Sequence, residues 1–257
     1  MTLIVDEVML REPNLLVPRK KPVGPVKIDW SLPITNGLKT CAIATSVGAI
    51  DIVSGQIATN NTSGITKEIE AGKGIVLENA ASTDYSTFTD KNMCPQGTGG
   101  YTIIADIRKN GTNNDITYIC GQRVTGGTKS WAITAGGNER LRFRDHNGSA
   151  FVANYLIVGK SGSIDDWVND VFFTIGIKFS GTGGDDISFY HDGILSDTYT
   201  TANGSNFDNS LSFLGSYTGS GSCLSDVNYV YIWQDRELTD AEHASIAADP
   251  YQFLIPA

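Results

Sequence analysis

Near the end of the chain Tyr229, Tyr231 and Trp233 alternate with Val230 and Ile232. A strand there carries apolar side chains on both faces, which predicts a central strand covered on both sides. Val171, Phe173, Ile175, Ile177 and Phe179 fall on one face of another strand. Tyr101–Lys109 places Tyr101, Ile103, Ala105 and Ile107 on one side and Thr102, Asp106 and Arg108 largely on the other, the period of two that marks a strand. A polar Asn-Gly-Thr-Asn-Asn-Asp stretch follows, so Ile116–Gly121 is expected to fold back as a hairpin. Trp131–Thr134 and Glu139–Asp145 predict a second hairpin, with Leu141 and Phe143 inward, and Phe151–Val158 continues that sheet. Asp186–Tyr199 reads as two strands around Asp192-Gly193, a pair suited to the positive φ angles of a type I′ turn. Gly74–Phe88 and Leu211–Gly215 add shorter strands. Helix is predicted once: Thr239 and Glu242 form a Thr-x-x-Glu capping box, Ile246 and alanines give an apolar side, and Pro250 ends it.

Twenty-eight glycines and 18% charged residues in 257 positions suit short strands and tight turns. The length is enough to bury a sizeable core in one β domain. A formal charge of −9 opposes wrapping nucleic acid, which requires Lys and Arg against phosphate. The segment MTLIVDEVML has acids where a signal peptide carries a basic region, and no apolar run reaches membrane-spanning length. Cys41, Cys94, Cys120 and Cys223 lie far apart with no CxxC pair, so free and mostly buried thiols are expected rather than a zinc site.

Residues 1–37 differ from the rest. Five prolines punctuate them, and Arg11, Arg19, Lys20, Lys21 and Lys27 make them basic. They predict an extended arm, residues 38–257 forming the packed domain. Two readings of the arm stand side by side, a solvated leader lying on its own domain or a docking arm for an acidic neighbour that uses those cations and Trp30, with contact to nucleic acid as a lesser third.

Several stretches resemble known proteins. Arg236, Leu238, Thr239 and Glu242, between an aromatic strand and a Pro-aromatic tail, resemble the end of laminin-G-like domains of the concanavalin A-like lectin/glucanase superfamily. Bacteriophage-encoded members are the most similar. Pro22 to Leu38, PVGPVKIDWSLPITNGL, is similar to their leader, with Ile34 where Leu is usual. Asp84-Tyr85 and the aromatic-x-Asp-Gly-aliphatic run Tyr190–Ile194 also fit. The chain departs from the pattern at TCAIATSVGAI, where relatives often carry an aromatic-rich strand. The resemblance implies an all-β concanavalin A-like antiparallel sandwich or jelly roll with an N-terminal arm and one short C-terminal helix.

Candidate chemistry is sparse. Retaining glucanases carry Glu-x-Asp-x-x-Glu on one strand, aiming three carboxylates into a cleft, and no Glu-x-Asp occurs here. Glu68 and Glu70 share a strand face without the rest of that pattern, and His146, His191 and His243 fall in different elements. Asp165-Asp166 and Asp185-Asp186 offer oxygen ligands for calcium, but the plain reading is solvated acids. No cofactor or metal is expected. For sugar stacking, Trp131 and Trp167 are the candidates, balanced against a place in the core. Arg140, Arg142 and Arg144 form a row that suits an anionic partner or a solvated face. The expected function is a non-enzymatic virion structural protein: a homo-oligomeric capsid decoration protein on the shell surface, assembled in the host cytoplasm and gripping the major capsid protein or another virion subunit. The alternative is a module of a tail fibre or spike that binds a host-surface glycan.

Overall fold

The structure is a computed structural model, and it describes residues 20–22, 24–61, 63–81, 83–94, 99–110, 117–121, 129–136, 140–147, 151–156, 170–180, 186–200, 211–215 and 224–257. In chain order the strands begin with β1 (Val26–Ile28), β2 (Leu38–Thr45), β3 (Gly48–Asp51), β4 (Thr59–Asn60), β5 (Ile65–Glu70) and β6 (Gly74–Asn79). Next come β7 (Tyr85–Thr87), β8 (Tyr101–Lys109), β9 (Thr117–Gly121), β10 (Lys129–Gly136), β11 (Arg140–Asn147) and β12 (Phe151–Leu156). The last six are β13 (Phe172–Phe179), β14 (Asp186–His191), β15 (Ile194–Thr200), β16 (Ser212–Gly215), β17 (Ser225–Gln234) and β18 (Leu254–Pro256), with α1 (Asp240–Ala248) between the final two.

Two antiparallel sheets face each other. One runs β12-β11-β10-β9-β16-β7-β4 and the other β15-β14-β13-β8-β17-β2-β3, with the β5–β6 ribbon joined to β17 beside β2. Trp131, Ile133 and Phe143 from the first sheet and Ile103, Ile175, Phe189, Val230 and Ile232 from the second share the core between them. The chain is therefore an all-β sandwich. β17 is central as its double-apolar pattern requires, buried over Ser225–Trp233.

A third layer covers the outer face of the β17 sheet. Tyr229, Tyr231 and Trp233 point into it and meet Ile28, Ile34, Leu238, Ile246, Tyr251 and Phe253. The capping box forms as expected: the Thr239 hydroxyl accepts from Glu242 N at 3.3 Å and Thr239 N donates to Glu242 Oε2 at 2.9 Å. The helix docks through His243, stacked on Tyr190 at 3.7 Å. The β14–β15 turn has φ of 49° at Asp192 and 79° at Gly193, the conformation an Asp-Gly pair supplies.

Two expectations need correction. β8 and β9 do not form a hairpin: β8 pairs with β13 and β17, whereas β9 pairs with β10 and β16 in the opposite sheet. The connection after Lys109 is long enough to change sheets rather than reverse within one. Nor does the extended arm reach residue 37. β1 pairs with β18, Ile28 and Ile34 are buried in the outer layer, and the Trp233 indole donates to Ile34 O at 2.7 Å. Prolines set the path of residues 25–37 while apolar side chains hold it to the sheet.

Candidate functional site

The outer face of β8, β13 and β17 turns polar at one end. Its cross-strand partners are Asp106 with Thr174 and Tyr229, and Arg108 with Phe172 and Asp226. On β17 the register shifts between Val227 and Tyr229, so that Val227 faces Ile107, Tyr229 faces Asp106, and Asn228 is extra. Such a bulge re-aims a side chain, and the Asn228 amide donates to Asp106 Oδ2 at 2.8 Å.

Asp106 is fully buried and accepts from Lys73 Nζ at 2.9 and 3.1 Å. Burial pushes its pKa up, against the attraction of Lys73 and the Asn228 bond. Tyr251 OH donates to Asn228 Oδ1 at 3.3 Å, and the Thr174 and Tyr229 hydroxyls lie 3.3 Å apart. Beside this group Arg108 reaches Glu70 at 2.6 Å, Glu68 at 2.7 Å and the buried Asp226. Burial raises Asp226 to about 6 although Arg108 and Asn110 favour its charged form. Phe172 lies under both cations, 5.3 Å from Lys73 Nζ and 4.9 Å from Arg108 Cζ. Above them opens a cleft of about 340 Å³ lined by Gly72, Lys73, Thr174, Asn228, Tyr229, Ala247, Ala248, Pro250 and Tyr251. A larger, more apolar groove of about 580 Å³ lies between Lys21–Val26 and the β2–β3 hairpin.

The residues singled out in the sequence lie elsewhere. Trp131 is fully buried and stacked near Phe143, with centroids 6.4 Å apart. It cannot offer a face to a sugar, because the opposite sheet covers it. Trp167 lies outside the described residues, as do Arg11, Arg19, Cys223 and the Asp165-Asp166 pair. Lys21 is withdrawn from any partner: its ammonium bonds Ala44 O at 3.0 Å and Ile75 O, and burial lowers its pKa to about 7. Lys20 and Lys27 are exposed, and Trp30 is 57% exposed. Arg142 and Arg144 are half-buried on the side of β11 away from the buried Leu141 and Phe143, and Arg140 opens the same strand. Cys41, Cys94 and Cys120 are buried free thiols, as expected. Among the described residues no group of three His, Cys, Asp or Glu is placed to hold a metal ion. No described helix is long and apolar enough to cross a membrane.

No protein-family model and no curated sequence matches the chain. Solved structures do. The binding domain of Paraclostridial Mosquitocidal Protein 1 aligns over 83% of this chain at TM-score 0.62 and 14% identity, and over 52% of its own length. The receptor binding domain of botulinum neurotoxin D aligns over 83% at TM-score 0.62 and 11% identity, and over 53% of its length. Trypanosoma rangeli sialidase aligns over 96% at TM-score 0.59 and 11% identity, and over 38% of its length. The chain thus spans about half of the toxin domains and less of the sialidase. At these identities the likeness establishes the fold alone, an all-β sandwich.

Proposed function

We propose that the chain is a non-enzymatic recognition module of laminin-G-like type, carried on a bacteriophage tail fibre or spike and contacting a host-surface glycan. The cleft above Asp106 is the observation that carries this reading. Its hydroxyls, amide and ammonium are tied to one another and to Asp106, from three paired strands, the β5–β6 turn that carries Lys73 and the segment after the helix that carries Tyr251, an arrangement that presents oriented donors and acceptors. Asp106 is tied to a cation and an amide, and Asp226 likewise, which suits holding a ligand better than moving a proton. Similarity to a toxin binding domain and a neurotoxin receptor binding domain supports the same direction, and the sequence motifs supply the phage context. A glycan array on the purified chain tests it. Selective, saturable binding without turnover is expected; cleavage of a bound glycan would replace the module with an enzyme.

A second reading, a homo-oligomeric decoration protein on the capsid, keeps one observation in its favour: Lys20, Lys27 and Trp30 remain exposed on one stretch. Replacing Lys20, Lys27 and Trp30 together with alanine leaves the β1–β18 backbone pairing in place. If the intact chain co-sediments with phage shells and the triple variant does not, docking through the leader displaces the glycan reading.

A further inference from the structure

We infer that the cleft over Asp106 is a subsite for a single neutral pyranose ring. The inference rests on the recognition reading above and specifies its ligand. At about 340 Å³ the cleft is near the lower end of the ~300–1,000 Å³ span of small-ligand sites, room for one ring rather than a chain of them.

Its remaining hydrogen-bonding capacity has both signs. Lys73 carries three protons and directs two bonds at Asp106, leaving one for a ligand. Tyr251 donates to Asn228, so its oxygen is left to accept. Of Thr174 and Tyr229 only one need donate to the other, which leaves a proton and acceptor lone pairs between them. Vicinal hydroxyls, each donor and acceptor at once, match that set. Ala247, Ala248 and Pro250 form an apolar wall for the C–H face of a ring. Tyr229, Asn228, Tyr251 and Thr174 are all buried, so the polar groups are held in place before a ligand arrives.

Charge decides the class of sugar. Lys21, Lys73 and Arg108 stand against Asp106, Asp226, Glu68 and Glu70, and Asp192 and Asp249 act on Tyr229 and Tyr251 from either side. Lys73 is the charged residue of the cleft's lining and Asp106 already matches its charge, so an added carboxylate would meet no uncompensated cation there, in a chain whose formal charge is −9. A sialic or uronic acid would bring a further negative charge into that field, and like charges repel strongly where water is excluded.

Saturation-transfer NMR on the full chain tests this, with the methyl glycosides of glucose, galactose, mannose and N-acetylglucosamine against N-acetylneuraminic and glucuronic acids. At least one neutral glycoside should bind with Kd on the order of 1 mM, a weak association, and the acids at least tenfold more weakly. Ala248 is exposed, so Ala248→Trp should close the mouth without disturbing the fold, which circular dichroism verifies, and should abolish the signal. Lys73→Gln should weaken binding at least fivefold. Undiminished binding by Ala248→Trp, or acids binding as well as neutral rings, overturns the inference. If no neutral glycoside binds while the glycan array is positive, the subsite fails and the module stands; if the array is blank too, both fail.

Discussion

Replacing Lys73 with Met removes the cation that holds Asp106. The carboxylate has no exposure, and afterwards only the Asn228 amide would donate to it. Breaking a buried pair from one side costs about 3–5 kcal/mol. Lys73 is itself 33% exposed and the amide bond survives, so about 2–3 kcal/mol is expected at pH 8. The sign of the pH dependence follows from burial, which already raises the Asp106 pKa. Removing the ammonium raises it further while leaving the unfolded chain unchanged. The folded state then holds its proton more tightly than the unfolded one, so the stability of the variant falls as pH rises through the folded pKa. At pH 5 the carboxyl can take the proton, and the cost should shrink to about 1 kcal/mol, the worth of lost hydrogen bonds. Urea unfolding followed by tryptophan fluorescence at pH 5, 6, 7 and 8 measures this. Adding Asp106→Asn should restore most of the loss at pH 8. A cost that is the same at all four pH values, or a double variant no better than Lys73→Met, would refute the reasoning.

Trp131→Ala should cost about 3–5 kcal/mol in the same assay, since the ring is fully buried between the sheets; a glycan-binding defect with unchanged stability would contradict that placement. Burial lowers the His243 pKa from 6.5 to about 3. Folding therefore excludes a proton, and stability should decline as pH falls from 6.5 toward 3, by roughly 4–5 kcal/mol in full. His243→Phe, which keeps a ring against Tyr190, should flatten that decline. Burial pushes the Cys120 thiol up to about 12 and raises Cys41 and Cys94 also, so these three should resist a thiol reagent in the native chain and react in urea. Rapid native labelling of any of them would show the core to be open.

Local signals proved readable and distant ones did not. The capping box, the Asp192-Gly193 turn and the alternation of β13 each lie within a few residues, and each formed as its chemistry dictates. Trp131 shows the limit: alternation places it on one face of β10 but does not say that the opposite sheet covers that face. Asp106 was legible as a polar position on an outer face, whereas its partners come from 33 and 122 residues away. One clue was present. Val227 and Val230 both face the core, three residues apart where a regular strand needs an even spacing, and that break marks the bulge at Asn228. Arg108 could not be matched to Glu68 and Glu70 without knowing that the β5–β6 ribbon lies along β17.

The place of β17 also sets the order of events during synthesis. It is the last but one of the described strands in chain order and yet lies in the middle of its sheet: β8 and β2 meet through it, and neither pairs with the other. A ribosome that has released β2 and β8 has made two strands whose shared partner is more than a hundred residues away. Contacts of such separation close slowly, because the loop entropy is lost before any pairing offsets it. Until β17 emerges the growing chain carries open, apolar strand edges, the surface on which nascent chains aggregate or recruit chaperones. Slow folding and poor tolerance of truncation before Gln234 are built into this topology.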